Sequence, residues 1–263
     1  MKRAPQMGLV LGVMVWLLAA CGGGGDNKGS DGSDAVGPGS TAGGVAFKGM
    51  FSAGMVRAFV ITAAGAKGAQ LGSSSVNSNG SYSLNLGAHT GPALLELTGG
   101  TYRDEVAGTT AQTQPLRAVI AASTVGVAAN ITPLTTIAAE LALADIAGGA
   151  PVAGAIQSAN LRITNWFGAG PILATVPADL SLGPATAGLA ADQGALCAGL
   201  AQMAAGLGVA TDSLVEALAR DVRDGDFDGD DGTGPVMIAG GGALSANAAR
   251  SELATAIGAF LAS

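Results

Sequence analysis

The sequence predicts an α+β protein in two segregated parts, an antiparallel β-sandwich followed by a small α-helical bundle. Three observations predict it. Between residues 45 and 131, short β-prone runs alternate with turn signals. The clearest is Asn79-Gly80, after which Tyr82, Leu84 and Leu86 alternate with Ser81, Ser83 and Asn85, the period of a half-buried strand. From Thr132-Pro133 onward, apolar residues recur at helical spacing. Ahead of both parts, residues 22–44 carry glycine throughout. The 263-residue chain is 49% hydrophobic, but aromatics are 4% and charged residues 12%. A core is affordable in length, and it is built from small side chains with modest apolar area each. The predicted organisation is therefore residues 1–20, 21–44, 45–131 and 132–263.

Lys2 and Arg3 precede an apolar run that starts at Met7 and ends in Leu18-Ala19-Ala20-Cys21. The run is about a dozen residues, short of the roughly 20 that span a bilayer. A basic start, a short apolar centre and small residues before a cut are the marks of a cleaved signal. The segment resembles a bacterial lipoprotein signal with its lipobox. That resemblance implies removal of residues 1–20, thioether acylation of Cys21 and a lasting attachment to the membrane through more than one acyl chain. Gly22 follows the cysteine where Asp would retain the protein, so in a Gram-negative envelope the resemblance implies the outer membrane.

The formal net charge is -7, and removing residues 1–20 takes Lys2 and Arg3 and no acid, leaving 10 basic against 19 acidic side chains, or -9. An acidic surface repels phosphate backbones, and no basic stripe with interleaved aromatics is present, which argues against nucleic acid as a partner. The chain has two cysteines. With Cys21 acylated, Cys197 stands alone, so neither an intrachain disulfide nor a cysteine-based zinc site is expected. Cys197 lies in an alanine- and leucine-rich helical pattern and reads as a buried small hydrophobe. Residues 22–44, with ten glycines in 23, cannot offset the entropy of folding and read as a disordered tether with a root-mean-square span of roughly 25–30 Å.

Within residues 45–131 the candidate strands are Val45-Ala46-Phe47, Met55 to Thr62, Gln70-Leu71, Val76 to Leu86 around the Asn79-Gly80 turn, Ala93 to Leu97, Leu116 to Ala121 and Val125 to Ile131. Gly49, then Gly54-Met55-Val56-Arg57-Ala58-Phe59-Val60, then Asn79-Gly80-Ser81-Tyr82-Ser83-Leu84, resemble a carboxypeptidase-regulatory-like domain, a small transthyretin-like β-sandwich. The segments Leu95 to Gly108 and Thr132-Pro133-Leu134-Thr135-Thr136 resemble bacterial surface lipoproteins that join such a sandwich to a helical region. The resemblance implies a non-catalytic module and no particular ligand. His89, the only histidine, falls in a turn-rich stretch and reads as solvated. Tyr102, Asp104 and Glu105 follow Gly99-Gly100 and read as a solvated loop, with a binding edge as the sharper alternative.

Residues 132–263 hold five helix patterns. Thr132-Pro133 supplies a cap hydroxyl and a proline at the first helical position, and Gly148-Gly149 ends the run. Further helices are expected from Val152 to Phe167, from about Thr186 to Leu207, from near Thr211-Asp212, and from Ser245 to Leu261.

Asp224-Gly225-Asp226-Phe227-Asp228-Gly229-Asp230-Asp231-Gly232 is the most chemically specific stretch. With Asp224 as position one, Asp226 and Asp228 fall at three and five, Gly229 at the sharp turn, and Asp230 at seven, the order of a calcium loop. Position twelve is Pro235 where an EF-hand places a bidentate glutamate. Two readings stand. One is a truncated calcium loop that borrows an oxygen from elsewhere, such as Asp221. The other is a solvated acidic turn between two helices. Crowded carboxylates repel one another without a cation, which supports the first, and aspartate and glycine are good turn formers, which supports the second.

No catalytic constellation assembles from the sequence. There is no Gly-x-Ser-x-Gly elbow, no second histidine and no phosphate-binding glycine loop in a strand-to-helix context. The expected function is a membrane-anchored envelope lipoprotein, a non-catalytic binding or structural module. An accessory subunit of a secretion or pilus assembly is the alternative, and an envelope-polymer hydrolase working through paired carboxylates is a third.

Overall fold

In the computed structural model, which describes residues 39–263, strands occupy the amino-terminal part and helices the carboxy-terminal part. The expected signal at residues 1–20, Cys21 and most of the expected tether lie outside the described residues. The strands are β1 (Ser40–Val45), β2 (Phe51–Ile61), β3 (Lys67–Ser75), β4 (Ser81–Gly87), β5 (Ala93–Arg103), β6 (Thr110–Gln112), β7 (Leu116–Ile120) and β8 (Val127–Ala128). They form two sheets. One has the order β4-β1-β8, with β1 antiparallel to β4 and parallel to β8. The other has the order β3-β2-β5-β6, and β7 also pairs with β5, all antiparallel.

The first strand starts inside the stretch whose composition reads as tether, at Ser40 rather than residue 45. The glycines explain the difference. A Cβ on Gly44 would lie 2.8 Å from Ala129 and from Asn130 Oδ1, so glycine here admits a close approach of two chain segments. Asn130, itself buried, then accepts from the Val45 amide at 2.9 Å and donates to the Thr175 carbonyl at 2.7 Å.

Asn79-Gly80 turns the chain as expected, with Gly80 at φ +76° and the Asn77 amide donating to the Ser81 carbonyl at 2.9 Å. The turn does not close a two-stranded hairpin. It carries the chain from β3 in the larger sheet to β4 in the smaller one. Strand β5 is longer than its apolar run because Gly99, at φ +63°, lets it continue through an irregularity opposite Ala53 and Met55.

Both faces of the larger sheet are covered. Val56, Ala58, Leu95, Leu97, Leu116 and Ile120 join Ala42, Tyr82, Leu84 and Leu86 of the smaller sheet in one apolar cluster. Ile61, Leu94 and Val119 join the helices in the other. This is why the Ala93-Leu94-Leu95-Glu96-Leu97 segment is buried throughout rather than alternating.

The helices are α1 (Pro133–Ala147), α2 (Val152–Phe167), α3 (Leu189–Leu207), α4 (Thr211–Asp221) and α5 (Ala249–Leu261). Helix α1 is buried on nearly every side over its first ten residues, as expected for a helix that lies between a sheet and other helices. Its start follows the sequence closely. Thr132 Oγ1 accepts from the Thr135 amide at 3.2 Å, Thr135 Oγ1 returns the bond by accepting from the Thr132 amide at 2.8 Å, and Pro133 occupies the first turn. Replacing Thr132 with alanine is expected to cost about 1–2 kcal/mol, read as a lowered urea midpoint at unchanged slope.

Helices α3 and α5 start later than their sequence patterns suggest. Gly188, at φ +147°, precedes α3, and Asn247, at φ +56°, precedes α5. The Ser245–Asn247 segment is instead laid over the acidic loop, where the Asn247 amide donates to the Asp228 carbonyl at 2.6 Å.

Candidate functional site

The acidic loop follows α4 and is fixed to the helical core by its one apolar residue. Phe227 is buried, 5.3 Å from the Phe167 ring and 6.2 Å from the Trp166 ring between centroids, both at the end of α2. Arg162, on the same helix, donates to the Gly225 carbonyl. Gly225, Gly229 and Gly232 take φ values of +100°, +91° and +81°, which L side chains rarely adopt, so the glycines are required for the path of the loop. The Val236 amide donates to the Gly229 carbonyl at 2.9 Å and closes the loop.

Three of the aspartates also bond their own turns. Asp224 Oδ1 accepts from the Asp226 amide at 3.0 Å, Asp228 Oδ1 from the Asp230 amide at 3.0 Å, and Asp230 Oδ1 from the Gly232 amide at 2.8 Å. Asp224 and Asp226 are exposed, while Asp228 and Asp230 are half-buried. Asp231 bonds the Thr233 hydroxyl and amide, which hold its carboxyl below the usual range. Among the described residues, no three histidine, cysteine or acidic side chains stand together as a ready-made metal shell.

Asp221 completes this neighbourhood from the last turn of α4. It is fully buried, and its Oδ1 accepts from the Gly229 amide at 2.7 Å. Its Oδ2 is buried, and among the described residues it has no hydrogen-bond partner. Burial raises its carboxyl to about 6, opposed by the Gly229 and Asp228 amides and reinforced by the Asp228 and Asp224 charges.

A second polar cluster was not visible in the sequence pattern. Lys48, between β1 and β2, is 3% exposed and pairs with Asp212 at the start of α4. Its ammonium lies 4.2 Å from the centroid of the Tyr102 ring. Asp212 also accepts from the Thr113 hydroxyl at 3.2 Å and the Gln114 amide at 3.0 Å. Burial lowers the Lys48 pKa, and the Asp212 charge opposes that shift.

Tyr102 and Glu105, which read as part of a solvated loop, are buried at 4% and 9% exposure. Among the described residues, neither Glu105 carboxylate oxygen has a partner at good hydrogen-bond geometry, although the Leu180 amide lies close enough to act on it. Burial pushes its carboxyl up to about 8, with the Asp179 and Asp104 charges adding and the Leu180 amide opposing. Cys197 is a free, buried thiol on α3, raised well above its ordinary pKa by burial, with Glu105 adding and Lys48 opposing. His89 Nε2 lies 3.0 Å from the Pro92 carbonyl within its own turn.

A third cluster joins sheet to helices. Glu96 of β5 bonds Lys67 of β3 at 3.0 Å and Arg117 of β7 at 3.4 Å. Arg117 also pairs with Glu140 of α1, whose other oxygen bonds Arg223 at 2.7 Å. Arg117 is fixed at its backbone as well, its amide donating to Thr136 Oγ1 at 2.9 Å and its carbonyl accepting from Thr135 Oγ1 at 2.8 Å. Through Arg117 and Glu140 the cluster ties β7 to α1.

Comparisons with family models, with curated proteins and with solved structures return no match. The functional reading therefore rests on the residues themselves.

Proposed function

We propose that the protein is a membrane-anchored envelope lipoprotein, held in the outer membrane by acyl chains on Cys21, whose folded part is a non-catalytic binding or structural module. The observation that carries this reading is the lipobox order Leu18-Ala19-Ala20-Cys21 behind a basic, then apolar, start. The two sheets are read as a transthyretin-like β-sandwich because Leu84 and Leu86 of one and Leu95 and Leu97 of the other share an apolar cluster. The helices are read as a bundle that covers the second face of that sandwich through α1. Glycine-rich residues after Cys21 lie between the anchor and β1, which gives the module reach from the membrane surface.

The test is Cys21→Ser in cells. The wild-type chain is expected in the outer-membrane fraction and to incorporate labelled palmitate; the variant is expected in the soluble envelope fraction without label. Continued membrane fractionation of the variant, or an unlabelled wild type, would overturn the reading.

A further inference from the structure

We infer that the loop from Asp224 to Asp230 is a calcium site in which the buried Asp221 carboxylate supplies the oxygen that an EF-hand takes from its twelfth residue. Calcium takes six to eight hard oxygens, and a loop with Asp at positions one, three and five supplies only part of that shell. The residue at position twelve is Pro235, which has no side-chain oxygen. Asp221 lies against the loop at its sharp turn. It approaches from the preceding helix, bonds the Gly229 amide there, and leaves Oδ2 buried with no hydrogen-bond donor among the described residues. A buried carboxylate oxygen without a partner is costly, and a cation satisfies it.

The surrounding cations are committed elsewhere. Arg162 donates to the Gly225 carbonyl, Arg220 to the Met237 carbonyl and Arg223 to Glu140. Arg250 stands over the Trp166 and Phe227 rings. Among the described residues, no ion pair includes Asp221, Asp224, Asp226, Asp228 or Asp230. The backbone is already set by Phe227, by the positive-φ glycines and by the Asn247 amide on the Asp228 carbonyl. Binding requires Asp224 and Asp228 to give up the bonds to the Asp226 and Asp230 amides and, with Asp226, to turn toward Asp221. The ion then ties the end of α4 to the segment that leads into α5.

The experiment uses the full chain in detergent, stripped with chelator and titrated with calcium chloride. One ion per chain is expected, with Kd on the order of 10⁻⁴ M and a raised melting temperature. The emission of Trp166, which stacks on Phe227, is expected to change with the same midpoint. Asp221→Asn is expected to weaken binding by about tenfold or more while melting no lower than wild type in chelator. Should that variant fail to fold, Asp226→Asn, at an exposed position, is expected to weaken binding with its chelator melting curve unchanged. Identical melting curves in calcium and chelator, an equal response to magnesium, or undiminished binding in both variants would each overturn the proposal.

Discussion

Replacing Asp212 with alanine is expected to destabilise the fold by about 3–5 kcal/mol, because it leaves a buried ammonium without its counter-charge. Lys48 is 3% exposed and reaches no water-rich surface through which to relax. Asp212 is its ion-pair partner, and the same carboxylate accepts from the Thr113 hydroxyl and the Gln114 amide, so the substitution strips three donors at once. An exposed pair would lose at most about 1 kcal/mol, which separates the two cases in a urea titration. Lys48→Met is expected to cost less. Asp212 then retains the Thr113 and Gln114 donors, and the methionine still packs on the Tyr102 ring. The double variant Lys48→Met with Asp212→Ala is expected to recover part of the loss, since no unpaired charge remains. The burial that lowers the Lys48 pKa also makes the Asp212→Ala deficit shrink at alkaline pH, where the amine sheds its proton. A deficit under about 1 kcal/mol, or one that grows with pH, would show that Lys48 finds another way to shed its charge.

What the sequence made legible was local. Helix α1 begins, and helices α1 and α2 end, where their caps place them, since Thr132, Pro133, Gly148 and Gly168 act within one turn of chain. The Asn79-Gly80 turn and the alternation after it are equally local, and β4 follows them. The glycine stretch misled because glycine is used for two opposite ends. It makes a chain too costly to order, and it lets two ordered segments approach, as Gly44 does beside Ala129. Composition cannot tell these apart; the pairing partner decides. The buried charges were out of reach for the same reason. Lys48 and Asp212 are 164 residues apart in sequence, and neither position has a local signature. Glu105 reads as a surface acid until β5 is seen to continue past Gly99, which carries Tyr102 and the following turn inward. The acidic loop was legible as a pattern of oxygens. Its anchor was not, because Phe227 reaches Trp166 and Phe167 on a helix that ends far earlier in the chain.

Glu105 also sets a pH dependence whose sign is fixed by its burial. Its carboxyl is raised from an ordinary 4.5 to about 8, first by burial and then by the Asp179 and Asp104 charges. In the unfolded chain it loses its proton near the ordinary value. Between pH 4.5 and about 8 the folded state therefore binds more protons than the unfolded state, and stability falls as pH rises. The slope from this one group approaches about 1.4 kcal/mol per pH unit in that window and vanishes above it, where both states are ionised. Asp221 adds a slope of the same sign at the acid end of the window. Lys48 acts the other way and at alkaline pH, because a lowered amine makes the folded state bind fewer protons than the unfolded one. Glu105→Gln keeps the shape and removes the titration. The variant is expected to match wild type within about 1 kcal/mol at pH 5 and to exceed it by a few kcal/mol at pH 8, read from urea midpoints at each pH. Parallel stability profiles for the two proteins would mean that Glu105 is ionised in the folded state, and that a donor compensates the burial of both its oxygens.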